Sequence, residues 1–113
     1  MKYYGLLETR LFYGEDKNKR EVLDLEVMSN MKSLCGLSLL SVRVDDVSHL
    51  RNLDELRFIY LEDTGIENIE PLKDLKNLHT LDVLGNESES VKKQAETYFN
   101  HVPDVYITEE RSP

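Results

Sequence analysis

In the stretch IEPLKDLKNLHTLDVLGN, from Ile69 to Asn86, the apolar residues recur first at every third position and then once at a distance of two positions. The leucines recur at every third position, at Leu72, Leu75, Leu78 and Leu81. Val83 then follows two residues after the last of them. An α-helix alternates spacings of three and four, and a strand keeps a spacing of two. The spacing of three therefore favours a polyproline-like or 3₁₀ arc. The spacing of two favours a short strand that ends at the polar Asn86.

This pattern recurs twice upstream, each time at a shift of 22 residues and without a gap. The units are 28–49, 50–71 and 72–93; the third loses the pattern after position 86, and a partial unit precedes the first. One such coil cannot bury its apolar face, whereas stacked coils can, with strands on one side and arcs on the other. The expected inward-facing strand residues are Leu37, Leu39, Ile59, Leu61, Leu81 and Val83.

The stretches LRNLDELRFIYLEDTGIENIEP and LKDLKNLHTLDVLGN resemble the 22-residue leucine-rich repeat of bacterial internalins and phosphatase-regulatory solenoids. The resemblance covers about residues 22–86. It implies an α/β solenoid, a short leucine-rich repeat coil with a parallel β-sheet on one face and irregular or 3₁₀ arcs on the other. It also implies a bacterial source. The exposed edge of such a solenoid must be capped, and a C-terminal capping helix is expected from the residues that follow Asn86.

The polar position that ends each strand departs from the pattern of that family. Asn86 occupies it in one unit, but Thr64 and Val42 occupy it in the others. In the repeats that this chain resembles, a ladder of asparagines satisfies buried backbone groups there. Thr64 can replace that ladder only in part and Val42 not at all, so we expect an irregular first turn.

We expect one domain over residues 1–113, with both ends built for a complete small protein. Its parts are an N-terminal cap strand, loop and partial repeat (1–27), the repeats (28–86), a C-terminal cap (87–107) and a loose tail (108–113). At the N-terminus, the alternation in YYGLLETRLFY predicts a single strand, followed by a charged loop.

The C-terminal cap is predicted to be a helix followed by an edge strand. Ser88 or Ser90 is a suitable N-cap residue, and Pro103 ends the helical pattern. Apolar residues recur at helical spacing in between, at Val91, Ala95, Tyr98, Phe99 and Val102. The segment DVYI, from Asp104 to Ile107, is predicted to be the edge strand.

Charge narrows the choice of partners. The chain has 113 residues and a formal net charge of −8, which disfavours nucleic acid and favours a basic protein partner. A single cysteine, Cys35, excludes an internal disulfide. Neither a secretory signal nor an apolar run of membrane-spanning length is present in the sequence, so we expect a cytoplasmic protein.

Catalytic and metal chemistry find little support. The histidines are His49, His79 and His101, and none has a second ligand at metal-binding spacing. Cys35 has no base near it in sequence, so a structural thiol is expected. Glycine-rich phosphate loops and nucleophile motifs are absent from the sequence. We therefore expect no enzyme and no cofactor, and an enzyme or metal-binding protein is kept only as an alternative.

Acidic residues also recur at the repeat spacing. Asp24 and Asp46 precede successive arcs, and we interpret them as caps that accept backbone N–H bonds. Asp45, Glu67 and Glu89 share the neighbouring register. For these three, capping and an acidic strip for a basic partner both remain open.

The open side of the predicted sheet is the candidate partner-binding site. Neighbours of the inward residues should face solvent in rows. These rows are Gly36, Phe58 and Thr80; Ser38, Tyr60 and Asp82; and Leu40, Glu62 and Leu84, and the N-terminal strand is expected to add Arg10 and Phe12. Exposed apolar residues rimmed by charge mark interaction sites. The predicted partner-binding residues are Leu40, Phe58, Tyr60, Glu62, Asp63, Asp82 and Leu84. The alternative is that the cap or the N-terminal segment covers some of them.

Two functional hypotheses follow. The first is a non-catalytic protein–protein interaction module that binds a protein through this concave face, as a monomer or a weak self-associating species. The second is a small acidic inhibitor, of the immunity or antitoxin kind, that masks a basic enzyme.

Overall fold

The computed structural model of the protein describes the backbone of residues 2–7 and 10–14 and all atoms of residues 22–86 and 88–107. Within these residues six strands form one sheet, in the same order as in the chain. They are β1 (Lys2–Leu7), β2 (Arg10–Gly14), β3 (Gly36–Leu40), β4 (Phe58–Glu62), β5 (Thr80–Asp82) and β6 (Asp104–Tyr106). β1 pairs with β2 in antiparallel orientation, and every later pair of neighbours is parallel. The fold is therefore of the α/β class with a mainly parallel sheet.

The prediction of a single N-terminal strand is wrong, because β1 and β2 form an antiparallel pair. The alternation that predicted one strand runs through residues 8 and 9, which lie outside the described residues. Two-residue hairpins are recognised in sequence mainly by Asn-Gly or similar pairs, and this segment has Glu-Thr instead. Most of the predicted charged loop, and the whole predicted tail, also lie outside the described residues.

Turns of 3₁₀ helix connect the parallel strands, at Leu25–Met28, Ser48–Leu50 and Glu70–Leu72. Bonds between residues three apart continue beyond them: Leu53 N donates to Leu50 O at 3.0 Å, and Leu56 N donates to Leu53 O at 3.1 Å. Equivalent bonds join the leucines at 72, 75 and 78. A 3₁₀ geometry brings residues three apart onto one side, which confirms the prediction drawn from the spacing in threes.

The core lies between the sheet and these arcs. All the predicted inward strand residues are buried, which confirms the register: Leu37, Leu39, Ile59, Leu61, Leu81 and Val83. The arc leucines Leu50, Leu53 and Leu56 are buried as well. Side chains of one face thus pack on leucines of the other in a single apolar cluster.

Asn86 holds two successive coils together from a buried position. Its Oδ1 accepts from Thr64 N at 2.9 Å and from Gly65 N at 2.7 Å. Its Nδ2 donates to Leu61 O at 2.6 Å and to Val83 O at 3.0 Å. One side chain therefore satisfies backbone groups that would otherwise be buried without partners.

The chain turns at a left-handed residue after each of the strands β3, β4 and β5. Ser41, Asp63 and Gly85 have φ values of 56°, 55° and 78°. Ser41 Oγ donates to Asp63 Oδ2 at 2.9 Å. The first turn, beside Val42, therefore has the same left-handed conformation as the two later turns, although the Val42 side chain has no polar group.

The C-terminal cap contains helix α1 (Glu89–Tyr98), and Ser88 is its N-cap residue with Oγ accepting from Val91 N at 3.4 Å. The predicted apolar stripe joins the core at Val91, Ala95, Phe99 and Val102. Tyr98 is an exception, because it is exposed and its ring lies 5.0 Å from Lys73 Nζ. The predicted edge strand is confirmed as β6.

Gln94 fixes α1 to the preceding coil. Its Oε1 accepts from Ile69 N at 2.7 Å and from Glu70 N at 3.1 Å. Its Nε2 donates to Glu67 O at 2.9 Å. Through Gln94 the helix satisfies backbone N–H and C=O groups of residues 67–70. In the middle of a stack, the next coil would cover such groups.

Candidate partner-binding face

The side of the sheet opposite the core is called here the open face. Strand register aligns its residues in rows across β3 to β6: Gly36, Phe58, Thr80 and Asp104; Ser38, Tyr60, Asp82 and Tyr106; and Leu40 with Glu62. Alternate residues of a strand point to opposite sides, so the buried inward residues require these residues to lie on the other side. The rows predicted from the sequence for β3, β4 and β5 are therefore present, apart from Leu84.

Apolar and aromatic side chains lie on the open face and are partly accessible to solvent. Leu40 is 43% exposed, and Phe58 and Tyr60 are half-buried. The Phe58 ring lies 6.2 Å from the ring of His79. Part of each aromatic side chain remains accessible, at the centre of the sheet.

Four residues of the rows predicted to face solvent are buried, Gly36, Thr80, Asp82 and Leu84, and two of them, Asp82 and Leu84, were predicted partner-binding residues. Asp82 is 2% exposed and Leu84 is 6% exposed. β5 ends at Asp82, so the strand alternation that predicted an outward Leu84 does not extend to it. Asp82 turns back on its own chain, because its Oδ1 accepts from Leu84 N at 2.9 Å. The expectation that these four residues face solvent is wrong.

Acidic residues border the open face. Glu62 and Asp63 are half-buried where β4 ends, and Ser41 Oγ orients the Asp63 carboxylate. The charged residues within strands β3 to β6 are Glu62, Asp82 and Asp104, all of them acidic. Strands β3 to β6 therefore carry only negative charge, whereas Arg10 of β2 pairs with Gly36 and stands in line with an open-face row.

Asp104 and Tyr106 extend the rows, and sequence reasoning missed them. Both are half-buried, and Asp104 Oδ2 lies 3.7 Å from Nδ1 of His79. The predicted edge strand contained the signal for them. If Val105 faces inward like Leu81, its neighbours must join the open face, and the register pairs Leu81 with Val105.

Capping by the first acidic pair is confirmed. Asp24 Oδ1 accepts from Glu26 N at 2.9 Å, and Asp46 Oδ1 accepts from Ser48 N at 2.8 Å. The backbone and side-chain hydrogen bonds from Ser48 lower the pKa of Asp46, since they stabilise its carboxylate. These acids complete the arcs and leave little reason to assign them to a binding surface.

The second acidic column is exposed at Asp45, Glu67 and Glu89. Asp45 Oδ1 lies 3.5 Å from Nε of the exposed Arg43. A depression of about 400 Å³ lies between Arg43 and Glu67, at the strand exits. Its charged lining residues are Arg43, Asp63 and Glu67, one basic and two acidic. The binding role of this column stays a prediction.

Two of the histidines and the cysteine have ordinary surroundings, with no arrangement among the described residues that is typical of a catalytic site. His49 Nε2 lies 3.8 Å from Asp24 Oδ1, His101 stacks on Phe99 with ring centroids 6.4 Å apart, and Cys35 is half-buried. Among the fully described residues, histidine, cysteine, aspartate and glutamate side chains form no group of three or more that could hold a metal ion. Of the described helices, none combines the length and apolar character needed to cross a bilayer.

Comparison with known proteins gives no relative from which a function could be transferred. No protein-family model matches the chain, and no curated protein gives a significant match. The class of protein is therefore proposed from the repeating coil and the open face.

Proposed function

We propose that the chain is a leucine-rich repeat solenoid of the 22-residue type and a non-catalytic protein–protein interaction module. A repeat in the backbone supports the proposed solenoid, because the left-handed residues Ser41, Asp63 and Gly85 recur every 22 residues. Stacked units of this kind leave one long face for partners. The proposed site is the open face.

The observation that supports this function best is the group formed by Leu40, Phe58 and Tyr60. These side chains are exposed or half-buried on a face bordered by acids. A solvent-facing side of a sheet is ordinarily polar, and an apolar group with a charged rim is typical of an interaction site. Aromatic residues are the usual anchors at such sites.

Further properties belong to the same proposal. We expect a cytoplasmic, bacterial protein that acts without a cofactor and binds another protein. Nucleic acid and membranes are not its expected partners, and self-association is expected to be weak at most.

Tyr60→Ala tests the open face directly. We expect the variant to lose most partner binding, since a side chain desolvated at the centre of an interface contributes about 2 kcal/mol or more to affinity. It should remain folded, because Tyr60 is only half-buried. The measurement is affinity capture from native lysate with the wild type and the variant, beside a thermal melting curve of each.

The matched control is Tyr98→Ala, which makes the same change at an exposed tyrosine of α1. This control should capture the same partners as the wild type. If Tyr60→Ala stays folded and retains every partner, the open face is not the binding site, and the column at Asp45, Glu67 and Glu89 becomes the better candidate. If Tyr60→Ala unfolds, the aromatic row belongs to the core.

A small acidic inhibitor of a basic enzyme is the second candidate. It is supported by the net charge of −8 and by the purely acidic charges of the described strands β3 to β6. In this case the captured partner should be cationic, and raising the salt concentration should weaken the complex, because screening reduces charge attraction. Glu62→Lys should slow its association. A complex that is insensitive to salt would instead favour the general interaction module.

A further inference from the structure

The last strand of the sheet has an outer side, called here the β6 edge, that no described strand covers. β6 stands at the end of the strand order and, among the described strands, pairs only with β5. Asp104 N donates to His79 O at 3.0 Å, and Tyr106 O accepts from Val83 N at 2.8 Å. Successive residues of a strand direct their backbone N–H and C=O groups to opposite sides, so those of Val105 point away from β5. An edge of this kind is a template for a further strand.

The core-facing side of the β6 edge is apolar and incompletely covered. Val105 and Ile107 are half-buried and pack against the core cluster. Leu81, which pairs with Val105, is completely buried, because strands lie on both sides of β5. A strand added beyond β6 would cover the remaining apolar surface of Val105 and Ile107, and removal of apolar surface from water favours binding.

The other side of the β6 edge, which belongs to the open face, is acidic and accessible. The Asp104 side chain is 46% exposed, and its Oδ2 lies 3.7 Å from Nδ1 of His79. β6 itself contains no lysine or arginine. Arg10 of β2 lies four strands away, or about 19 Å at the usual spacing of strands. A basic side chain beside Asp104 would therefore meet an accessible carboxylate of opposite charge.

We propose that the β6 edge accepts an extended segment of the partner protein as a further strand. This inference rests on the proposed function and deepens it, since Asp104 and Tyr106 make the edge continuous with the open face. Alternate residues of the segment are apolar, to cover Val105 and Ile107, and basic, to lie beside Asp104. Its backbone pairs with the outward N–H and C=O groups of Val105, as in other cases of strand addition to a sheet edge.

A second copy of this chain fits the β6 edge less well than a basic segment does. Each copy carries a net charge of −8, and pairing of two β6 strands would bring a second Asp104 to the same edge. Like charges on paired strands are destabilising. Charge complementarity thus favours a cationic partner over self-association.

The test is titration of the isotopically labelled full chain with a short acetylated peptide that alternates lysine and valine, followed by NMR. Chemical-shift changes should concentrate at 104–107. The amide N–H of Val105 should exchange with solvent about tenfold more slowly when the peptide is bound, because it becomes hydrogen-bonded. The same peptide methylated on its backbone nitrogens should not bind, and a peptide with glutamate in place of lysine should bind more weakly.

Val105→Pro tests the edge from the side of the protein. It removes the outward N–H and leaves the bonds to β5, which Asp104 and Tyr106 make. Proline is tolerated in an edge strand where the N–H faces solvent. We expect peptide binding to weaken by about tenfold or more, since a backbone bond is lost and the ring obstructs pairing. The matched control is Val105→Ala, which shortens the same side chain but keeps the N–H, so it should weaken binding clearly less.

Several results would overturn the edge site: shifts centred elsewhere, unchanged exchange of the Val105 amide, equal binding of the methylated peptide, or equal affinity of the two folded variants. A dimer of the chain alone that protects the Val105 amide would also overturn it, because a second copy would then occupy the edge. Should Val105→Pro fail to fold, the methylated peptide decides the matter on the wild-type chain.

The proposed function is judged separately, by partner capture with Tyr60→Ala. If Tyr60→Ala loses the partner while the peptide fails to bind at β6, the open face stands and only the edge inference falls. If Tyr60→Ala is folded and keeps the partner, the proposed function of the open face falls, whatever the peptide does.

Discussion

Replacing Asn86 by alanine is expected to lower the free energy of unfolding by about 3 kcal/mol or more, since several buried polar groups lose their partners at once. Thr64 N and Gly65 N would lose their acceptor, and Leu61 O and Val83 O would lose their donor. Thr64 and Asn86 are almost fully buried, so water has little access to most of these groups. The measurement is denaturant unfolding monitored by circular dichroism.

The matched control for this prediction is Asn52→Ala, the same change at an exposed asparagine. It should alter the free energy of unfolding by no more than about 0.5 kcal/mol. Similar small losses in both variants would show that the network of Asn86 contributes little to stability. In that case the asparagine position would not explain how successive coils are joined.

Leu56→Ala is expected to destabilise the protein by about 2–5 kcal/mol, as truncations of buried leucines do. Leu56 is completely buried, and its N–H also takes part in the arc through Leu53 O. The truncation removes apolar contacts and leaves a cavity that a close-packed stack can fill only in part. Denaturant unfolding of the variant measures the loss.

Leu40→Ala provides the comparison, because Leu40 is the same residue type on the open face and is 43% exposed. Its truncation should cost about 0.5 kcal/mol or less. A loss for Leu56→Ala that is no larger than that for Leu40→Ala would contradict the assignment of Leu56 to the core.

The repeated part of the chain could be predicted from sequence because every unit supplied the same information. Leu37, Ile59 and Leu81 stand at one repeat position, and a register error would have moved all of them to the wrong side together. Because all three are apolar, the sequence predicted which strand residues face the core. The arcs followed from the spacing in threes, since only a tight turn places such residues on one side.

The ends of the sheet were harder to predict, because repetition stops there. Leu81 pairs with Val105 across 24 residues, and Leu11 pairs with Leu37 across 26, so a search at a fixed shift of 22 does not align β2 or β6 with the repeated strands. Tyr106 and Asp104 were overlooked for this reason. The N-terminal hairpin was missed because its connection has no glycine or asparagine to mark a turn.

Within the candidate site, the sequence indicated which strand positions share a face but not how far each side chain is covered. Phe58 and Tyr60 lie in a complete strand and follow the alternation. Asp82 ends a three-residue strand and bonds to the amide of Leu84, so local hydrogen bonding determines its position. Such bonds depend on where a strand ends, which is the least predictable part of an element.

The left-handed residues at Ser41, Asp63 and Gly85 also determine how such a chain can lengthen or shorten in evolution. Gaining or losing a whole unit between two of these turns changes the number of strands but leaves the facing of every other residue unchanged. Gaining or losing a single residue inside a strand would reverse the faces of the residues that follow it in that strand. Within the stack, changes in length are therefore expected in whole units, whereas the pairings of β2 with β3 and of β5 with β6 at its ends already depart from the common spacing.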